Sequence, residues 1–167
     1  MLRTLLLIIL PVYYTDAETV INGNISEDQT WNAGGNPYVI NKSIAVDKNV
    51  RLKIEKGTQV KAAPEAILMV YGEVLSNGSP SHPVVFSCVH PQAYWGGIYL
   101  NSGSEGYFEF TAFEKSGKSS FTQNSMILAR NTTAVFEFCK FGKSFKTGIK
   151  SIRKGQVDLG GGEFSDG

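Results

Sequence analysis

The sequence predicts an all-β protein, a parallel β-helix (a solenoid) of about six coils. No window of a dozen residues shows the apolar spacing of three and four that an amphipathic helix requires. Short triplets of the form apolar-x-apolar instead alternate with glycine, asparagine, serine and proline. The phrase FEFTAF at 108–113 also returns as FEFCKF at 136–141, which indicates one strand repeated on successive coils.

The triplets show how such short strands can fold. They begin at residues 52, 68, 84, 108, 136 and 157, at intervals of 16, 16, 24, 28 and 21 residues. Alternate side chains of a strand face opposite sides, so each triplet directs two apolar side chains inward and its centre outward. Stacked about 4.8 Å apart, such strands form a continuous apolar column. Variable intervals fit loops at solenoid corners better than the hairpins of a sandwich. A fainter apolar series follows at Val60, Val74, Ile98, Ile127 and Ile149.

Three segments are predicted along the chain. Residues 1–17 are predicted to be a signal peptide, because Arg3 precedes an apolar run that is too short to cross a bilayer. Residues 18–37, with Trp31 and the loop NAGGNP, are predicted to cap the first coil. Residues 38–167 are predicted to form the β-helix domain. Because LGGGEFSDG offers no polar cap, this domain is predicted to be incomplete.

Charge, hydropathy and sequons limit the binding partners and the cellular location that can be predicted for the chain. The formal net charge of +1 gives no nucleic-acid footprint, and no later apolar run is long enough to span a membrane. A secreted, extracellular chain is therefore predicted. Asn24, Asn41 and Asn131 are predicted N-glycosylation acceptors, and a fourth sequon at Asn77 is weakened by Pro80.

The stretch from Tyr38 to Leu100 resembles right-handed parallel β-helix proteins of the pectin-lyase-like superfamily. The resemblance is carried by PYVI, IAVDKNVRLKIEKGTQVKA, ILMVYGEVLSNGS, HPVVFS and WGGIYL, and later by QVDLGGGEF. It implies a right-handed solenoid with a Gly57-Thr58 turn and with strands at Leu52–Ile54, Val60, Val70–Val74, Pro83–Phe86 and Trp95–Ile98. It implies no single function, because that superfamily includes lyases, hydrolases, adhesins and non-catalytic surface modules. The family's Asn-Thr-Asp, Asp-Asp and His-Gly motifs are absent, which argues against pectin hydrolysis.

Three carboxylates, Glu109, Glu137 and Asp158, occupy the centres of successive triplets. If the triplets stack, these residues form an outward column with a spacing of about 4.8 Å. Paired carboxylates can hydrolyse glycosides, and carboxylate clusters can hold Ca²⁺. The competing interpretation is a solvated strand face.

Residues 140–154 contain six basic residues and no acid. The six are Lys140, Lys143, Lys146, Lys150, Arg153 and Lys154. With Phe141 and Phe145 interleaved, this run favours an anionic glycan as ligand, and the alternative is a set of solvent-facing corner residues. Tyr94 and Trp95 are further candidates, as rings that stack on a sugar or as half-buried corner aromatics.

Cys88 and Cys139 are predicted to be two free, buried thiols. They lie two coils apart, or about 10 Å, whereas a disulfide needs Cα atoms within about 7 Å. No metal site is predicted, because His82 and His90 each precede a proline and have no partner at ligand spacing.

These features favour a non-catalytic secreted module that recognises an extracellular glycan or protein and uses no cofactor. The alternative is a carbohydrate-active enzyme, a polysaccharide lyase or glycoside hydrolase, which uses the carboxylate column. End-to-end self-association through an open final edge is also predicted.

Overall fold

The structure, a computed structural model, describes residues 18–153, 155–161 and 163–164. These residues form an all-β parallel solenoid, a β-helix, of about five turns. The predicted fold class is therefore confirmed, and the coil number is close to the prediction. The predicted signal peptide and Lys154 lie outside the described residues. Among the residues described, no helix is long and apolar enough to cross a membrane.

The strands are short because the chain turns a corner after each one. In chain order they are β1 (Thr19–Ile21), β2 (Gln29–Trp31), β3 (Tyr38–Ile40), β4 (Ile44–Val46), β5 (Arg51–Glu55), β6 (Gln59–Ala62), β7 (Ile67–Val70), β8 (Glu73–Asn77), β9 (Val84–Cys88), β10 (Gly97–Leu100), β11 (Glu105–Glu109), β12 (Thr111–Phe113), β13 (Ser125–Arg130), β14 (Thr133–Glu137), β15 (Lys140–Phe141), β16 (Thr147–Ile152), β17 (Gln156–Gly160) and β18 (Glu163–Phe164). One 3₁₀ turn, Ala33–Gly35, lies between β2 and β3.

Three parallel sheets form the faces of the solenoid. Sheet A has the order β1-β3-β6-β9-β12-β15-β18, sheet B the order β4-β7-β10-β13-β16, and sheet C the order β2-β5-β8-β11-β14-β17. Each coil contributes one strand to sheet A, then one to sheet B and one to sheet C. We number the coils from the first (β3–β5) to the fifth (β15–β17), and we name the turns between sheets the A–B, B–C and C–A corners.

The repeated phrase of the sequence occupies equivalent places on successive coils, as predicted. Phe108 pairs with Phe136 in sheet C, and Phe113 pairs with Phe141 in sheet A. Ile98, Ile127 and Ile149 likewise form one column in sheet B.

The prediction that all six triplets form one column is wrong. The triplet that begins at residue 68 lies in sheet B and the one at 84 in sheet A, whereas the other four fall in or beside sheet C. The inward residues of sheet C are Phe108, Phe136 and Leu159, which pair in register. Phe110 and Phe138 lie just beyond the strands, with left-handed φ angles of 43° and 52°, because the chain turns there from sheet C to sheet A.

The single strand expected from Val70 to Val74 is two strands, β7 and β8. Gly72 forms the B–C corner between them. A Cβ atom at Gly72 would lie 2.4 Å from the Asp47 carbonyl oxygen and 2.2 Å from that of Val50. Only glycine permits this close approach of two coils.

Aromatic rings fill the core of the third, fourth and fifth coils. Phe86, Phe113 and Phe141 stack with centroid distances of 5.5 and 5.3 Å, and Phe108 stacks on Phe136 at 5.0 Å. The two columns meet edge to face, with Phe108 5.4 Å from Phe113 and Phe136 5.5 Å from Phe141. Such geometries stabilise by about 0.5–1.5 kcal/mol per pair beyond area burial.

The segment 18–37 adds one further layer before the first coil. β1 pairs with β3, Ile25 pairs with Val46, and β2 pairs with β5. Trp31 is buried and stacks on Tyr38 at 4.7 Å. In the fifth coil, by contrast, Leu159 is 46% exposed.

Both cysteines are free and buried, as predicted. Cys88 ends β9 in the third coil, and Cys139 precedes β15 in the fifth. The Cys139 thiol donates to the Phe108 carbonyl oxygen at 3.3 Å. Burial raises the pKa of Cys139 to about 11, so this thiol stays protonated and unreactive at neutral pH.

Candidate functional site: a lysine belt

Charge is segregated along the solenoid axis. Residues 18–110, which build the first three coils, contain six basic and nine acidic side chains. Residues 111–153 and 155–161, which build most of the fourth and fifth coils, contain eight basic and three acidic side chains. The net charge of +1 for the whole chain conceals this difference. A positive region at one end attracts anionic ligands even when the molecule is nearly neutral.

Five lysines of this positive region lie at the A–B corner and on sheet B, and we call them the lysine belt. They are Lys115 and Lys118 in the loop 114–124, Lys143 and Lys146 in the loop 142–146, and Lys150 in β16. A bridge between Ser116 and Ser144 holds the two loops in register. Lys115 and Lys143 each precede one of these serines, so they lie side by side on adjacent coils.

The cations of the belt differ in their partners. The Lys118 ammonium lies 3.1 Å from the Glu65 carboxylate, and the Lys115 ammonium donates to the Pro91 carbonyl oxygen. Lys143 and Lys146 are exposed, and the structure shows no ion pair for either within its described residues. Like charges in the adjacent loops repel one another, so an anion that lies across both coils would relieve that repulsion.

An aromatic pair adjoins these lysines. Phe145 lies between Lys143 and Lys146 in the sequence, is 41% exposed, and contacts the half-buried Tyr94 edge to face at 5.8 Å. The prediction that Trp95 offers its ring to a sugar is wrong. Trp95 is 1% exposed, its indole N–H donates to the Glu114 carbonyl oxygen at 3.0 Å, and its ring packs on Phe86.

The basic residues predicted from 140–154 do not form one patch. Lys143 and Lys146 lie at the A–B corner, and Lys150 projects from sheet B beside Leu128. Lys140 lies on sheet A beside Ala112, and Arg153 lies at the B–C corner. They share one coil but lie at four different positions around it.

The predicted carboxylate column is correct for two of its three members. Glu109 and Glu137 are paired neighbours in sheet C, but Asp158 pairs with Val135 and not with Glu137. The residue beside Glu137 on the fifth coil is Gly160. The prediction failed for Asp158 because it placed Val157 and Leu159 beside Phe136 and Phe138. In the structure these two residues pair with Ala134 and Phe136, two positions earlier in β14.

Glu137 has a partner that the sequence did not indicate. The Tyr107 hydroxyl donates to the Glu137 carboxylate at 2.5 Å. This hydrogen bond, and to a lesser extent burial, raises the pKa of Tyr107 to about 12. The carboxylates lie on an outward sheet face, and among the described residues no group of three or more His, Cys, Asp or Glu is placed to hold a metal ion.

Lys115 and Lys118 were missed by reasoning from the sequence alone. They belong to the preceding repeat, outside the run 140–154 that first attracts attention. The repeat interval could have identified them. Lys115 and Lys118 precede Lys143 and Lys146 by 28 residues, the same interval that separates FEFTAF from FEFCKF.

The three predicted glycosylation acceptors are exposed. The Asn24 side-chain oxygen accepts from the Ala45 amide at 3.0 Å, and the Asn131 side-chain amide donates to the Ser102 hydroxyl at 2.7 Å. Glycosylation itself stays a prediction.

No protein-family model, no curated protein and no solved structure matches this chain. The class of protein therefore rests on the fold and on the belt alone: a parallel β-solenoid with a cationic end.

Proposed function

We propose that this protein is a non-catalytic extracellular recognition module that binds an anionic glycan along the lysine belt. The observation that carries the proposal is the pair of exposed cations Lys143 and Lys146, which have no ion pair among the described residues and lie beside a lysine of the adjacent coil. Sulfate and carboxylate groups of a polysaccharide recur along the chain, so such a ligand can neutralise several belt lysines at once.

The aromatic pair supports a saccharide rather than a simple salt effect. Phe145 and Tyr94 present apolar surface between the lysines, and the C–H face of a pyranose can cover such surface. Lysine is a compact point charge on a flexible stem, which suits ligands whose sulfate positions vary.

The wider assignment belongs to the same proposal. A signal peptide at 1–17, secretion and glycosylation fit an extracellular glycan ligand. Kinship with the pectin-lyase-like superfamily fits the coil pattern of 38–100. An enzymatic role is not part of the proposal, because Glu109 and Glu137 lie on a sheet face and Glu137 is occupied by Tyr107.

The test measures binding of heparin, a highly sulfated polysaccharide, to the recombinant chain by calorimetry. The double variant Lys143→Gln/Lys146→Gln is expected to raise the Kd about tenfold or more, because each lost ion contact contributes on the order of 1 kcal/mol. The matched control is Lys48→Gln/Lys56→Gln, which removes the same charge from exposed positions of the first three coils.

The proposal predicts that the control changes the Kd less than twofold and that uncharged dextran does not bind. Equal weakening by both double variants would reduce the effect to net charge and overturn the belt as the site. Shortening of the polysaccharide during incubation, abolished by Glu109→Gln, would overturn the non-catalytic assignment.

A further inference from the structure

A cleft of about 560 Å³ with polar lining residues lies at the B–C corner of the third, fourth and fifth coils, apart from the lysine belt. We call it the arginine cleft, and its lining residues are Asn101, Ser102, Arg130, Asn131 and Arg153. Sheet B separates it from the A–B corner, so the two sites face different directions.

The register of the coils brings the two arginines together. Arg130 ends β13 and pairs with Ile152, and Arg153 follows directly after Ile152. Asn131 and Arg153 both take left-handed φ angles, 48° and 53°, so the chain turns in the same way on both coils. The amide of Asn131 donates to the Ile152 carbonyl oxygen at 3.0 Å, which fixes this stacking.

Hydrogen bonds orient the lining side chains. The Arg130 guanidinium donates to the Tyr99 hydroxyl at 3.3 Å, and that hydroxyl donates to the Asn101 side-chain oxygen at 3.0 Å. The Asn131 side-chain amide donates to the Ser102 hydroxyl at 2.7 Å. Arg130 is thus anchored through Tyr99 to Asn101, with its remaining N–H groups available, and Asn131 is held to Ser102.

The positive charge of the cleft is not compensated. None of the five lining residues is acidic, and neither arginine makes an ion pair within the part of the chain that the structure describes. Both arginines line the same cleft, so an anion bound there lies near two positive charges. Arginine also presents a planar fork of N–H donors that matches the geometry of an oxyanion.

We propose that the arginine cleft is a binding site for a single oxyanion, the sulfate or carboxylate group of a small ligand or of one saccharide unit. Arg130 and Arg153 supply the charge-assisted hydrogen bonds, and Ser102 and Asn101 supply polar contacts at the wall. The site needs no polymer and no lysine of the belt, so it goes beyond the glycan recognition proposed above.

The test follows backbone and arginine N–H signals by NMR while inorganic sulfate is added to the full chain at constant ionic strength. The proposal applies to the form of the protein in which Asn131 carries no glycan, because a glycan on Asn131 would fill the cleft. The chain is therefore produced without N-glycosylation. Saturable shifts are expected at Asn101, Ser102 and Asn131. Arg153→Gln is expected to raise the Kd about tenfold, and Arg130→Lys, which keeps the charge but loses the fork, to raise it severalfold.

Two matched variants separate this site from the others. Lys143→Gln/Lys146→Gln is expected to leave sulfate binding unchanged, as is Arg51→Gln, whose arginine pairs with Glu73 at 2.6 Å near the same corner of the upper coils. A second titration, with methyl glucuronoside, shows whether a carboxylate serves as well as sulfate.

Three results would overturn the proposal: no saturation at the cleft residues with either anion, equal loss in the Arg51 variant, or loss only in the lysine variants. Arg153 is exposed, so its substitution leaves the fold intact and the outcome interpretable.

Discussion

The first three coils (the upper coils) and the last two (the lower coils) differ in how their basic side chains are paired with carboxylates. In the upper coils, opposite charges meet, with Arg51 2.6 Å from Glu73 on the adjacent strand and Lys53 2.9 Å from Glu55. In the lower coils, Lys143, Lys146 and Arg153 find no carboxylate among the described residues. The belt lysine Lys118 pairs with a carboxylate of an earlier coil, that of Glu65 in the A–B corner of the second coil.

The cores of the two regions differ as well. The first two coils are filled mainly by aliphatic side chains such as Ile40, Leu52 and Leu68, whereas stacked phenylalanine rings fill the third, fourth and fifth coils. The two coils with an excess of basic side chains lie within the aromatic part of the core, but the third coil shares that aromatic core without the basic excess. The difference shows that surface charge and core composition vary independently along one solenoid.

The largest expected effect comes from removing one ring of the aromatic core. Phe136→Ala deletes a side chain that is 1% exposed and that contacts Phe108, Phe113 and Phe141. The free energy of unfolding is expected to fall by about 3–5 kcal/mol. Urea denaturation followed by circular dichroism measures this change. A loss below about 1 kcal/mol would show that the aromatic core does not support the lower coils.

A smaller effect is expected from Phe138→Ala, which is the matched surface change. Phe138 stacks on Phe110 at 4.9 Å but is 54% exposed, so its removal should cost only about 1 kcal/mol. The same denaturation experiment compares the two variants. Equal losses for Phe136→Ala and Phe138→Ala would contradict the register that turns one ring inward and the other outward.

High pH should weaken the contact between the third and fourth coils. The pKa of Tyr107 is raised to about 12 from an unfolded value near 10, so its contribution is fully present below pH 10. That contribution is lost as the pH rises through the folded value. We expect the wild type to lose more stability than Tyr107→Phe between pH 9 and pH 12, in urea titrations at matched salt. Parallel losses would show that the hydrogen bond to Glu137 does not persist in solution.

The smallest expected effect comes from removing the repulsion between Lys143 and its neighbour Lys115. Lys143→Gln should raise the free energy of unfolding by a few tenths of a kcal/mol at low salt, about 0.3, because it removes a like charge beside Lys115. High salt should abolish the gain. The control, Lys48→Gln in the acidic upper region, should give no gain at either salt concentration.

The sequence was sufficient to predict the solenoid, because the alternation within triplets and the 28-residue return of FEF depend on local periodicity. The sequence was not sufficient to predict the register. Phe108 and Phe110 look equivalent in FEF, and only the corner conformation decides that Phe108 points inward and Phe110 does not. Asp158 was misplaced for the same reason, because Leu159 was aligned with Phe138 and in fact pairs with Phe136, two residues earlier.

The sites were harder to predict for a related reason. Residues that are distant in sequence become neighbours only through the coil spacing, as with Lys115 and Lys143 or Arg130 and Arg153. A run of basic residues identified the correct coil but not the faces on which they lie. Tyr107 gave no signal, because its partner Glu137 lies 30 residues away.

The two loops of the A–B corner differ by six residues, 114–124 against 142–146, yet the strands that follow them pair without any shift, Ser125 against Thr147. The length of a corner loop is therefore independent of strand register: residues can be inserted or deleted at this corner while the strands of adjacent coils stay paired. Foreign segments grafted between Gly142 and Lys146 should be displayed without disturbing the frame.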